Sequence, residues 1–160
     1  MSNMQELIST YPRIFKGEPP VLPGYVNAGW HPVVMRLCAG IDALLSDQEA
    51  EFFQVMQVKE KFGGLRFYGR LGEAERISMD TSSPDGKRER LEFLTVEAEP
   101  DTLARIHTLI REAEVEAART CEDCGQPGKL RRGGWSATLC DGHSVRRQPR
   151  PEDNDEGSGA

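Results

Sequence analysis

Residues 52–71 read FFQVMQVKEKFGGLRFYGRL, two runs rich in aromatic and aliphatic residues on either side of Gly63-Gly64. A two-residue glycine turn closes a β-hairpin of type I′ or II′. Counting outward from it pairs Phe62 with Leu65, Lys61 with Arg66, Glu60 with Phe67, Lys59 with Tyr68, Val58 with Gly69, Gln57 with Arg70 and Met56 with Leu71. Side chains alternate between faces along a strand, and cross-strand partners share a face. One face then carries Met56, Val58, Glu60, Phe62, Leu65, Phe67 and Leu71. The other carries Gln57, Lys59, Lys61, Arg66, Tyr68 and Arg70, with no acid among them. Residues 77–80 and 91–97 are further strand candidates, separated by the turn-rich TSSPDGKRER of residues 81–90. The expectation is a four-stranded antiparallel sheet around a central hairpin at 53–71.

Helical periodicity flanks this sheet on both sides. Leu7, Ile8, Tyr11, Ile14 and Phe15 fall at helical spacing within residues 4–15, with Pro12 ending or bending the helix. Residues 17–29, with Pro19, Pro20, Pro23 and Gly24, read as a loop. A helix follows over residues 32–45. Pro32 suits the first turn, where its missing N–H had no partner. Val33, Val34, Leu37, Ile41, Leu44 and Leu45 form its apolar stripe. Cys38 sits beside that stripe as a small hydrophobe, and Trp30 anchors the helix start in the core. His31 reads as a helix-start or loop residue, with no nucleophile near it in sequence. Residues 101–119 form the longest helix, with Asp101 as N-cap and Leu103, Ile106, Ile110, Ala113 and Ala117 at alternating three- and four-residue spacing. His107 lies on the flank of that stripe. The fold class is α+β, two or three helices against a small antiparallel sheet.

The last helix runs into Cys121-Glu122-Asp123-Cys124-Gly125, and Cys140-Asp141-Gly142-His143 follows. Two ligand pairs, each separated by two residues, suit the tetrahedral thiolate and imidazole coordination of structural Zn²⁺. Gly125 fits the tight turn after the first pair. Residues 129–132 and 135–139 read as short strands around Gly133-Gly134, so a knuckle and a hairpin lead into the second pair. Cys121, Cys124, Cys140 and His143 complete one tetrahedron and leave no position for a substrate. One structural zinc is expected, with Trp135 and Leu139 covering the site.

The chain has 160 residues, is 38% hydrophobic and has a mean hydropathy of −0.55, which implies a modest core. No run approaches the ~20 apolar residues of a membrane span, and residues 1–10 lack the pattern of a secretory signal. Cysteines used for metal fit a reducing compartment, so a cytoplasmic location is expected. The organisation expected is an α+β domain over 1–119, a zinc knuckle over 120–146 and a disordered acidic tail over 147–160. Net charge is −6 but uneven: residues 1–118 carry 13 basic and 19 acidic side chains, residues 119–150 carry 7 and 3, and residues 151–160 carry none and 4.

Gly29-Trp30 opening a helix, VKEKFGGLRFY at 58–68, and the C-terminal TCEDCG, GW and TLC with His143 together resemble a family of small uncharacterised bacteriophage and bacterial proteins. The resemblance covers most of residues 10–145. It implies a phage or prophage provenance and a zinc knuckle, and no reaction. The helix entering CEDCG is also similar to the zinc fingers of the TraR/DksA proteins, which act on RNA polymerase. Those end in a second Cys-x₂-Cys and have a long helical hairpin where this chain has a sheet.

Two functions follow. In the first, Lys59, Lys61, Arg66, Tyr68 and Arg70 form a partner-binding face that docks a phosphate backbone or an acidic protein surface. Lys129, Arg131, Arg132, Arg146 and Arg147 extend it. The same residues suit a solvated outer face, or one paired with Glu112, Glu114 and Glu116. The acidic overall charge favours a protein partner over nucleic acid, and phage provenance would make that partner a host or defence factor. In the second, Glu60, the carboxylate on the apolar face, serves as general acid or base with a raised pKa. Its alternatives are an ion pair with Arg13 or Arg36, or an escape to the sheet edge. There is no Ser-His-Asp signature, P-loop or dinucleotide fingerprint, so binding is preferred over catalysis.

Overall fold

The computed structural model describes residues 3–16, 25–72 and 100–146. The fold is α+β, with the central hairpin packed against helices and a Cys/His cluster near the C-terminus. The element order is α1 (Asn3–Thr10), α2 (His31–Leu44), α3 (Asp47–Phe52), β1 (Phe53–Lys61), β2 (Gly64–Leu71), α4 (Pro100–Ala117), β3 (Lys129–Arg131), β4 (Ala137–Leu139) and α5 (Asp141–Arg146). The strands expected at 77–80 and 91–97, the loop at 81–90, most of the loop at 17–29 and the tail at 147–160 lie outside the described residues.

α2 is the spine. Its Val33, Val34, Leu37, Cys38 and Ile41 are buried, and they meet Leu7 of α1, Ile106, Ala113 and Ala117 of α4, and Val55, Val58, Leu65 and Phe67 of the hairpin in one core. Helix α1 stops at Thr10, where Pro12 forbids continuation. The turn beyond it still buries Ile14 and Phe15, and the Val55 amide donates to the Ile14 carbonyl, tying that turn to β1 (2.9 Å). Helix α4 starts at Pro100, so Asp101 lies inside the first turn and is not the N-cap. A carboxylate there still complements the positive end of the helix dipole. Leu103 is exposed rather than part of the buried stripe, and so is His107. The short helix α3 is an addition to the expected set. Ser46-Asp47-Gln48-Glu49 forms a capping box, with the Glu49 amide donating to Ser46 Oγ and the Ser46 amide to Glu49 Oε2.

The hairpin turns one residue earlier than its two glycines suggest. Lys61 pairs with Gly64, Glu60 with Leu65, Lys59 with Arg66, Val58 with Phe67 and Gln57 with Tyr68. The central turn residues are Phe62 and Gly63, at φ 53° and 76°, as a type I′ turn requires. Gly63 meets that demand without strain. Phe62 meets it at a cost of roughly 1–3 kcal/mol, since bulky residues rarely adopt left-handed backbone. The shift changes register by two, which preserves the sorting of faces near the turn. A bulge between Val55 and Gln57 then reverses it. Val55 and Phe53 become buried, while Met56 points outward, 48% exposed. Two residues assigned to the apolar face, Met56 and Phe62, are therefore on the surface.

Candidate metal centre and the face beside it

Helix α4 delivers Cys121 directly from its C-terminal end. The Gly125 amide donates to the Cys121 carbonyl, and Gly125 adopts φ 76° to close the knuckle. β3 and β4 pair antiparallel, Lys129 with Leu139 and Arg131 with Ala137. They return the chain to Cys140, from which α5 carries His143 back toward Cys121.

The ligand atoms of Cys121, Cys124, Cys140 and His143 all lie within 4.8 Å of one another. Zinc–sulfur and zinc–nitrogen bonds of about 2.3 and 2.0 Å in a tetrahedron set sulfur–sulfur edges near 3.8 Å and sulfur–nitrogen edges near 3.5 Å. Cys124 Sγ is 3.9 Å from Cys140 Sγ. His143 Nδ1 is 3.5 Å from Cys121 Sγ and 3.2 Å from Cys140 Sγ. A disulfide would need the sulfurs about 2.05 Å apart, and all four cysteines of the chain are free. This Cys₃His group can hold one metal ion, with His143 offering Nδ1. Burial acts to raise the Cys121 thiol, but amide donors from Cys140, Cys124 and Asp123 outweigh it and bring the group down to about 7. For Cys124 the Gln126 amide acts to lower the thiol, but burial and the neighbouring Cys121 and Cys140 prevail and hold it above its ordinary value.

The knuckle is tied to the helical body. The Gly29 amide donates to the Glu122 carbonyl (2.8 Å). A Cβ on Gly29 would sit 2.2 Å from the Cys121 carbonyl oxygen and 2.5 Å from the Gly125 nitrogen, so only glycine fits there. Trp30, fully buried, donates its indole N–H to the Thr120 carbonyl (2.7 Å). Asn27 Nδ2 donates to Asp123 Oδ1 (3.1 Å), and the Thr138 amide donates to Glu122 Oε2 (3.3 Å). Thr138 Oγ1 donates to the Gly63 carbonyl (2.6 Å), which fixes the hairpin turn against β3 and β4. The three stretches 29–30, 58–68 and 120–143 are thus one contact region. Leu139 is buried at the site as expected, but Trp135 is 77% exposed and does not cover it. Arg131 pairs with Asp141, whose carboxyl is held below its ordinary value by that hydrogen bond and by the Arg131 and Lys129 charges.

Gln57, Lys59, Lys61, Arg66, Tyr68 and Arg70 share the outer face of the hairpin. Lys59 lies directly opposite Arg66, a like-charge pair that costs a few tenths of a kcal/mol or more. Lys59 Nζ sits 5.9 Å from the Tyr68 ring centre. Among the described residues, none of Lys59, Lys61, Arg66 and Arg70 joins an ion pair. Glu116 is taken by Arg36. Glu60 is half-buried, and its Oε1 accepts from the Gly63 amide at 2.6 Å, so it braces the turn. Its suggested partners are engaged elsewhere, Arg13 with Asp42 and Asp47, and Arg36 with Glu116.

His31 acquires neighbours that are distant in sequence. Tyr25 Oη lies 2.8 Å from His31 Nδ1, and His31 Nε2 lies 3.3 Å from Glu6 Oε2. Burial, with Cys38 and Glu6 adding to it, pushes the Tyr25 phenol upward. The phenol therefore keeps its proton, and the chain of contacts ties α1 to the start of α2. No helix among the described residues is long and apolar enough to cross a membrane.

Fold and site together define a small α+β protein with a Cys₃His centre that can take a metal ion. No protein-family model, curated protein or solved structure matches the chain.

Proposed function

We propose that the chain is a zinc-stabilised binding module that docks an anionic macromolecular surface through the outer face of its β1–β2 hairpin. Zinc is the metal favoured by three thiolates and an imidazole at tetrahedral spacing, with no ligand position left for water or substrate. The single observation behind the docking surface is the Lys59–Arg66 pair on a face that holds Lys61 and Arg70 and no acid. Stacked positive charge destabilises a sheet, and an anionic partner relieves it. An acidic protein surface and a phosphate backbone both offer that relief. The enzyme reading loses ground because Glu60 is engaged by the Gly63 amide.

The test is a double substitution, Lys59→Glu with Arg66→Glu, in the zinc-loaded chain. Retention on an immobilised heparin matrix at low salt should be lost, while zinc content and the far-ultraviolet dichroism spectrum stay as in the wild type. Unchanged retention would move the working surface elsewhere.

A further inference from the structure

The surroundings of the cationic face add exposed rings to its charge. Phe62 occupies a left-handed turn position that glycine or asparagine fills at less cost, yet it is 75% exposed and makes no core contact. Backbone strain that supports no packing points to a use at the surface. Lys61 Nζ lies 5.4 Å from the Phe62 ring centre, as Lys59 Nζ lies beside Tyr68. Directly behind the turn, Gly63 packs on Leu130 and Ala137 of the knuckle hairpin. The β3–β4 turn of that hairpin presents Trp135 at 77% exposure, and Leu130 of β3 is 42% exposed. Arg132 in the β3–β4 turn is exposed. Exposed flat rings beside cations suit a strand whose bases stack while its phosphates meet ammonium and guanidinium groups. A polyanion without bases would use the cations and leave the rings wet.

We infer that the hairpin face, its Phe62 tip and the Trp135 turn form a platform for single-stranded nucleic acid. Tyr68, Phe62 and Trp135 take the bases; Lys59, Lys61, Arg66 and Arg70 take the phosphates. From Arg70 to Gly64 the strand spans about 20 Å at ~3.3 Å per residue, room for a short single strand before the knuckle turn is reached. The inference rests on the cationic-face reading and adds the base-stacking half of the site.

The probe is a fluorescein-labelled mixed-sequence DNA single strand of about a dozen nucleotides, within the span of one small binding fold. It is titrated with the zinc-loaded full chain at about 50 mM salt, where phosphate contacts are strong. A heparin fragment serves as a polyanion without bases. Binding should raise the anisotropy and quench tryptophan emission through Trp135, because Trp30 is sealed in the core. Four phosphate contacts should give a log–log salt slope of about −3. Phe62→Gly should melt no lower than wild type, since the turn strain is removed, and bind the oligonucleotide about tenfold more weakly. Trp135→Ala should lose the quench and a similar factor in affinity. If both variants bind the oligonucleotide as wild type does, or wild type does not bind it, the platform is refuted; heparin binding that depends on Lys59 and Arg66 would still uphold the cationic face. If Lys59→Glu with Arg66→Glu holds heparin as tightly as wild type, the face itself falls, and the platform with it.

Discussion

Replacing Gly29 by alanine should loosen the whole C-terminal knuckle, although Gly29 lies 92 residues before Cys121. The new methyl group would stand 2.2 Å from the Cys121 carbonyl oxygen, 2.5 Å from the Gly125 nitrogen and 2.7 Å from the Glu122 carbonyl oxygen, all backbone atoms. Relief requires the knuckle to move away by about 1 Å, since carbon–oxygen contacts settle near 3.5 Å. That movement stretches the Gly29–Glu122 bond, now 2.8 Å, and the Trp30–Thr120 bond, now 2.7 Å, beyond useful length. Each bond contributes about 1 kcal/mol, and overpacking adds about 1–3 kcal/mol. The expected loss is roughly 3–5 kcal/mol, which lowers the melting temperature by about 10 °C for a chain of this size. Thermal melts of zinc-loaded protein measure it, with chelator-driven zinc release followed by a colorimetric indicator as a second reading. Gly142→Ala is the control, because a Cβ there meets nothing within 4 Å. If Gly29→Ala melts within ~2 °C of wild type and releases zinc no faster, the knuckle is not seated on residues 27–30 as described.

Purified chain should carry about one zinc, since one tetrahedral set is present. Cys140→Ser should lose that zinc and raise hydrogen exchange at the Gly29 amide, whose acceptor is in the knuckle, while α2 amides remain protected; exchange unchanged at Gly29 would contradict the docking. Cys38 should resist alkylation in native protein at pH 8, because burial, reinforced by Asp42, pushes its thiol up to about 12. The folded state therefore keeps a proton that the unfolded chain releases near its ordinary value of 9.0, so this contribution to stability is complete below pH 9 and declines as pH rises toward 12; denaturant midpoints that do not fall across that window would refute the assignment. Thr138→Val should cost about 1 kcal/mol by removing the donor to the Gly63 carbonyl, read from the urea midpoint, and no change would mean that contact is idle.

The helices were legible because their apolar stripes repeat at a period that no other element shares. Helix α2 starts at His31, one residue before the boundary expected from Pro32. The Cys/His cluster was legible because two pairs at two-residue spacing can bring four groups within reach of one ion. The turn was misplaced because Gly63-Gly64 is a stronger local signal than Phe62-Gly63; tertiary contacts from Thr138 and Ala137 fix Gly63 in the left-handed position. The bulge at Met56 has no local signature, and it moved Val55 inward at the expense of Met56. Trp135 was expected over the metal centre because a small knuckle lacks a core, but Gly29, Trp30 and the hairpin turn supply that cover from elsewhere in the chain. The capping box of α3 is readable in Ser46-x-x-Glu49.

The anchoring of Trp30 joins residues much farther apart in the chain than the closing of the knuckle does. His143 must close only a 22-residue interval to reach Cys121, whereas the indole of Trp30 waits for a carbonyl 90 residues later. The longer closure costs about 1.2 kcal/mol more in chain entropy, so in the completed chain the closing of the knuckle is the cheaper of the two. Until residue 120 has left the ribosome, the Trp30 N–H and the Gly29 amide have no partners from the knuckle. A nascent chain stalled before that point would leave this seam without its knuckle partners.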